Sequence, residues 1–266
     1  MPAKWKTSEE RTYRAELKRL YIKRNLSICE IAKVLGLAQQ TVFQRLERLG
    51  IRSEPQKKDG YQNRRSDIRV PKKYTDDLAE FFGIMLGDGH ISRYQVVVGL
   101  GNKEEQYANY VAGLMERVFG VRGHIAVRRS GYRDVYFGSV DIVKWFLNEG
   151  LVHHKVRSQV DIPRWLFSSR KFSQRFVRGF FDTDGSVYQL KFGIQISLSN
   201  NSLPLLTSLR AMLNGLGYKA SHVSAARVYL TRRGDVWRFF EEIRPRNPKH
   251  VRRFKAFWSR AKTMRR

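Results

Sequence analysis

The sequence predicts an α+β protein in which a small all-α domain precedes two αββαββα units with antiparallel sheets, related by a pseudo-two-fold axis. Three observations carry that reading. A helical motif occurs twice, the hairpins and helices after it repeat in matching order, and the N-terminal stretch shows capped helical periodicity around a turn glycine. The expected boundaries are a helix-turn-helix domain over 1–51, a basic linker over 52–74 and a first unit over 75–150. Residues 151–266 then hold an inter-unit linker, the second unit and a basic tail.

In chain order, Thr7 and Glu10 have the spacing of a capping box, which opens a helix with Tyr13, Leu17, Leu20 and Tyr21 on one face. Ser27 and Glu30 repeat the signal. Ile28 to Leu49 then reads as a helix-turn-helix, with Ala32 packed in the first helix, Gly36 in the turn and Val42 facing inward from the second. Ile31, Leu35, Leu37 and Leu46 complete its core, and the lone cysteine, Cys29, reads as a small buried core residue. The second helix exposes Gln39, Gln40, Gln44, Arg45 and Arg48, side chains suited to adenine, guanine and phosphate. Residues 52–74 hold eight basic and three acidic residues with Pro55, Gly60 and Pro71, the composition of a linker.

The doubled motif is Phe81-Phe82-Gly83-Ile84-Met85-Leu86-Gly87-Asp88-Gly89 and Val177-Arg178-Gly179-Phe180-Phe181-Asp182-Thr183-Asp184-Gly185. Residues four apart share a helix face, so Gly83 and Gly87 form one smooth stripe, and Gly179 with Thr183 another. A mid-helix glycine costs roughly 1 kcal/mol relative to alanine, and close approach of a partner helix is the compensating gain. After the motifs, Tyr94 to Asn102 and Phe192 to Asn200 read as hairpin strands. Helices Glu105 to Phe119 and Leu203 to Leu216 follow, then second hairpins in which Val135-Tyr136-Phe137 matches Val228-Tyr229-Leu230. Asp141 to Leu147 and Asp235 to Ile243 close the units, and Phe254, Phe257 and Trp258 give the basic tail a helical apolar face.

A net charge of +27 points to a polyanion, most often nucleic acid. The charge is uneven: residues 75–150 carry 8 basic and 10 acidic residues, residues 151–266 carry 24 and 6. One cysteine excludes an internal disulfide and a cysteine-based zinc site. No apolar run nears the roughly 20 residues that span a bilayer and no signal peptide is evident, so a cytoplasmic protein is expected. Asp182-Thr183-Asp184-Gly185 starts like a calcium loop, but Val187 and Gly193 stand where that loop needs Gly and Glu.

Pairing the two stripes brings Asp88 and Asp184 together at helix C-termini that are already negative. That arrangement repels itself without a cation, and carboxylates, carbonyls and water suit magnesium. The expected ligands are Asp88 and Asp184 with Gly87 and Thr183, which directly precede them. Strand alternation puts one side-chain set on the core and the other outward, and Gln95, Arg128, Arg133, Tyr188, Lys191, Gln195 and Arg227 are candidates on the outward set for contact with nucleic acid.

From Tyr74 onward the chain resembles the LAGLIDADG homing endonucleases of the single-chain, two-motif type. The first copy departs from the name-giving pattern with Leu86 where its first acid stands, while the family's metal-binding acids fall on Asp88 and Asp184. The resemblance implies saddle-shaped sheets on the DNA major groove and magnesium-dependent cleavage of both strands, with manganese or calcium as substitutes for binding. It further implies a monomer on one long asymmetric double-stranded site. Asn102 and Asn200 correspond to water-orienting polar positions, and Lys103 and Lys191 are candidates for the lysine the family places near each centre. Two alternatives accompany it: a cleavage-inactive transcription regulator, since some LAGLIDADG-like regulators also carry a helix-turn-helix, and a maturase acting on intron RNA.

Overall fold

A computed structural model describes residues 7–24, 26–51, 67–191 and 193–263, with only the backbone of 7–11 and 260–263. The side chains of Thr7 and Glu10, most of the 52–74 linker, Phe192 and the end of the basic tail lie outside the described residues. The chain divides into two compact units, Met1–Asn63 and Arg64–Arg266.

In the first unit α1 (Thr7–Lys18) runs into a π-helical turn, Arg19–Lys23, followed by α2 (Ile28–Leu35) and α3 (Gln39–Arg48). The second capping box forms as its residues dictate: Glu30 N–H donates to Ser27 Oγ at 3.3 Å and Ser27 N–H to Glu30 Oε2 at 2.8 Å. Gly36 ends α2 at φ +61°, the left-handed conformation in which a Cβ is costly. Leu17, Leu20, Ile31, Ala32, Val42, Leu46, Leu49 and Ile51 make the core. Cys29 is not part of it. The residue lies on the outer face of α2, exposed, its Sγ accepting from Gln39 Nε2 at 3.4 Å.

The second unit begins with α4 (Asp76–Leu86), β1 (Gly89–Ile91), β2 (Gln95–Leu100), α5 (Glu105–Phe119), β3 (His124–Val127), β4 (Arg133–Gly138) and α6 (Val140–Asn148). Its strands form an antiparallel sheet in the order β1-β2-β4-β3. After an inter-unit segment and a short 3₁₀ turn, Arg164–Phe167, come α7 (Arg170–Asp184), β5 (Gly185–Leu190), β6 (Gly193–Ser199), α8 (Leu203–Gly215), β7 (Arg227–Leu230), α9 (Arg233–Glu242) and α10 (Pro248–Thr263). The first half has the expected αββαββα order. The second does not: among the described residues its sheet holds three strands, β5-β6-β7.

The missing strand has a local cause. Ser221 N–H donates to Tyr229 O at 2.9 Å, but Tyr229 N–H turns to the Ser221 hydroxyl at 3.0 Å instead of a carbonyl. The side chain has replaced the next ladder acceptor. Ala225 and Ala226 then take positive φ, 47° and 58°, in a tight reversal that leaves only a Ser224–Arg227 bridge.

α4 and α7 lie against each other at the centre of one continuous core, where Phe81, Phe82, Phe176, Phe180 and Phe181 have no exposed surface. α10 is docked. Asp182 of α7 accepts the backbone N–H of Arg246 at 2.8 Å and of Asn247 at 3.0 Å, and Phe254 stacks on Phe240 with centroids 3.9 Å apart.

Candidate functional site

The glycine stripes meet backbone. A Cβ on Gly83 would overlap the carbonyl oxygen of Phe176 and lie 2.7 Å from Phe180 N, and one on Gly179 would overlap the carbonyl of Glu80 and lie 3.0 Å from Ile84 N. A Cβ on Gly87 would strike the Thr183 hydroxyl. That hydroxyl shares its proton between the carbonyls of Gly179 at 3.2 Å and Phe180 at 3.0 Å, inside the seam.

Flanking the seam is a charge cluster that the motif pattern did not reveal. Glu80 on α4, with no exposed surface, takes Arg175 Nη1 at 3.2 Å and Arg178 Nη1 at 3.3 Å from α7, and the Tyr110 hydroxyl. Arg178 also donates to Ile243 O at 2.6 Å. Buried charges survive only when paired and bonded in this way.

The seam ends at the two acids. Asp184 is half-buried and accepts from Asn200 Nδ2 at 3.0 Å. Burial first, then the neighbouring Asp88 carboxylate, pushes its carboxyl above the usual range, against the opposing pull of Asn200 and Lys155. Asp88 keeps a solvent-facing side, yet its carboxyl is also pushed up, by surrounding protein and then by Glu104. Burial raises Glu104, but bonds from Asn247 Nδ2 at 2.6 Å and Lys249 Nζ at 2.9 Å outweigh it, so that carboxyl is held below its ordinary value.

At the end of α4, close to the acid pair, the structure brings a residue absent from the sequence expectations. Lys155, from the inter-unit segment, donates from Nζ to Met85 O at 3.0 Å, Leu86 O at 3.2 Å and Gly87 O. Burial lowers its pKa while Asp184 and Asp88 raise it. The Gly87 carbonyl, an expected metal ligand, is therefore already engaged.

The two asparagines are not equivalent. Gly89 pairs with Val98 and Gly185 with Leu198, so Asn200 stands two residues beyond its pair and Asn102 four. Two extra residues in the first half carry Asn102 into an exposed turn, where its carbonyl accepts from Arg133. Lys103 is exposed in that same turn. Lys191 follows β5, whose six residues separate it from Asp184 by about 20 Å. Lys191 thus stands a full strand's length from Asp184.

On the open sheet face, Tyr188 pairs with Gln195 in register, and Arg227 is exposed nearby; Gln95 has the same orientation in the first sheet. Arg133 belongs to the other face. It shares alternation with buried Val135 and Phe137, and its guanidinium holds Asn102 O and Glu105 Oε2 at 3.3 Å. Arg128 is exposed but bonded twice to Asp134, at 2.6 Å each. On α3, Gln39, Gln40, Gln44 and Arg48 are exposed, while Arg45 is half-buried with its guanidinium carbon 4.4 Å from the Tyr13 ring centroid.

Comparison with known proteins gives two family matches. A LAGLIDADG-like domain model fits residues 171–244, and a WhiA LAGLIDADG-like domain model fits residues 79–157. Among curated proteins, the replication factor C small subunit of Methanocaldococcus jannaschii is 26% identical over 146 residues, which is 54% of this chain but 7% of that protein. Similar solved structures include I-DmoI in complex with DNA and Mn, at 19% identity and TM-score 0.47, covering 63% of this chain and 96% of that one. I-DmoI with DNA and Ca matches at 18% identity and TM-score 0.47, covering 63% and 88%. Full-length DUF199/WhiA from Thermatoga maritima matches at 18% identity and TM-score 0.49, covering 74% and 63%. With an acid-tipped motif helix in each of the matched stretches, the chain carries two LAGLIDADG-like domains in tandem.

Proposed function

We propose that this protein is a site-specific, metal-dependent double-strand DNA endonuclease. The observation that supports it is the meeting of Asp88 and Asp184 at the ends of two helices packed backbone to backbone. Their donor set suits magnesium. Among the described residues no cluster of three His, Cys, Asp or Glu side chains gathers, and magnesium typically takes one or two carboxylates and completes its shell with water and substrate phosphate. Bound there, it supplies charge neutralisation at the phosphate and an acidified water. The chain's own part is positioning: Asn200 fixes the Asp184 oxygen, Glu104 and its Lys249 partner flank Asp88, and the packed seam sets the spacing of the acids. The net charge of +27, the exposed glutamines of α3 and the open sheet faces are consistent with a long DNA site.

A second reading, a DNA-binding regulator without cleavage, is favoured by the WhiA-type match of the first half and by the lysine already seated on the Gly87 carbonyl. Selection of cut sites from a random duplex library with magnesium or manganese separates the two. The nuclease reading expects defined double-strand products from the parent, abolished in both Asp88→Asn and Asp184→Asn. Specific binding with no cutting by parent or variants establishes the regulator.

A further inference from the structure

Lys155 sits in a segment tied to both halves. On one side His153 Nδ1 lies 3.1 Å from Ile91 O; on the other, Gln159 Nε2 donates to Asn201 O at 3.2 Å and Leu203 N–H donates to Gln159 Oε1 at 3.1 Å. Asn200, which holds Asp184, also reaches across to Leu86 O at 3.4 Å. The last turn of an α-helix leaves four carbonyls without partners, and an ammonium carries three donors. Lys155 gives one to each of Met85, Leu86 and Gly87. Its hydrogen bonds are thus all directed to the α4 terminus, while Asp184 and Asp88 lie near enough to favour its charged form.

We propose that Lys155 is a tethered cation of the acid pair. In the metal-free protein it holds the ends of α4 and α7 together, and it competes with a divalent ion for the Gly87 carbonyl and for the field of the two acids. A divalent ion entering the DNA-free protein meets a site that already holds one positive charge. Tight loading then requires the added negative charge of a phosphate, so metal and DNA enter together. The competition rests on the acids being the metal site proposed above; the tethering of the helix ends does not.

The test needs neither DNA nor turnover. Thermal unfolding of the full chain is followed in EDTA and in magnesium, and Mn²⁺ binding is measured by calorimetry, for the parent, Lys155→Met and the Lys155→Met/Asp184→Asn pair. The parent is expected to melt at nearly the same temperature with or without magnesium. K155M melts about 2–8 °C lower in EDTA, regains the loss in magnesium and binds Mn²⁺ at least about tenfold more tightly than the parent. Adding D184N removes the regain. A loss in K155M that magnesium does not restore shows that the lysine stem is mere packing and overturns the proposal. So does a parent stabilised by magnesium as strongly as K155M. If K155M does not fold in EDTA, refolding with magnesium decides the same question: recovery supports the proposal and failure in both overturns it. A chain without nuclease activity passes or fails this test independently.

Discussion

At Gly83 and Gly179 a helix accepts the residue that least favours it because nothing larger fits. Alanine at either position gains helix propensity of about 1 kcal/mol but drives a methyl into the backbone of the opposite helix. Overpacking of this kind costs about 1–3 kcal/mol or more, and a backbone neighbour cannot swing aside as a side chain does. Gly83→Ala and Gly179→Ala are therefore expected to lower the denaturant midpoint. Gly215→Ala at the end of α8, where an added Cβ meets nothing within 4 Å, is expected to raise stability by about 0.5–1 kcal/mol. Equal midpoints for all three would sink the close-packed seam. The seam and its acids were readable because they follow a four-residue period. Lys155 was not, because it reaches carbonyls 68 to 70 positions away and no local pattern marks it. Arg133 was readable and misassigned: counting by twos from Val135 and Phe137 puts it on the buried side.

Among the elements, α10 shows how a basic tail becomes part of a fold. Its apolar face packs through Phe254 and Trp258 against α9, with Trp237 and Trp258 centroids 4.8 Å apart. Its first turn buries His250 against Phe181, with Nε2 3.3 Å from Asp182 O. Burial pushes the His250 pKa down to about 3. The unfolded chain, near the ordinary value of 6.5, therefore takes up the proton first as pH falls. The contribution of this histidine is complete above pH about 6.5 and is lost toward pH about 3, by at most about 1.4 kcal/mol per pH unit. His250→Gln is expected to flatten that part of the stability profile between about pH 4 and 6.5; an unchanged slope in urea titrations would refute the assignment. Helices of this unit were legible from periodicity to within a few residues, as Glu105–Phe119 illustrates. The absent fourth strand of the second sheet was not, since a serine hydroxyl standing in for a carbonyl leaves no trace in hydropathy.

For the whole molecule, charge dominates the expected behaviour toward DNA. Contacts to 6–10 phosphates lose roughly 10³–10⁵ in affinity between about 50 and 200 mM salt. The same steep dependence is expected here, measured by fluorescence anisotropy, and a flat response would count against phosphate-tracking by this chain. A different consequence follows from Glu80 and its arginines. The acid comes from α4 alone and the bases from α7 alone. Two copies of the first half, meeting as α4 meets α7, would bury two glutamates without these arginines, and two copies of the second would bring Arg175 and Arg178 together without Glu80; breaking a buried pair costs about 3–5 kcal/mol. Severed between 150 and 163 and co-expressed, the halves should find each other and refuse themselves, like plug and socket. Homodimers of either piece on a sizing column would show that the lock is not charged as described. One glutamate would thus hold the two halves to each other by chemistry as well as by the peptide chain between them.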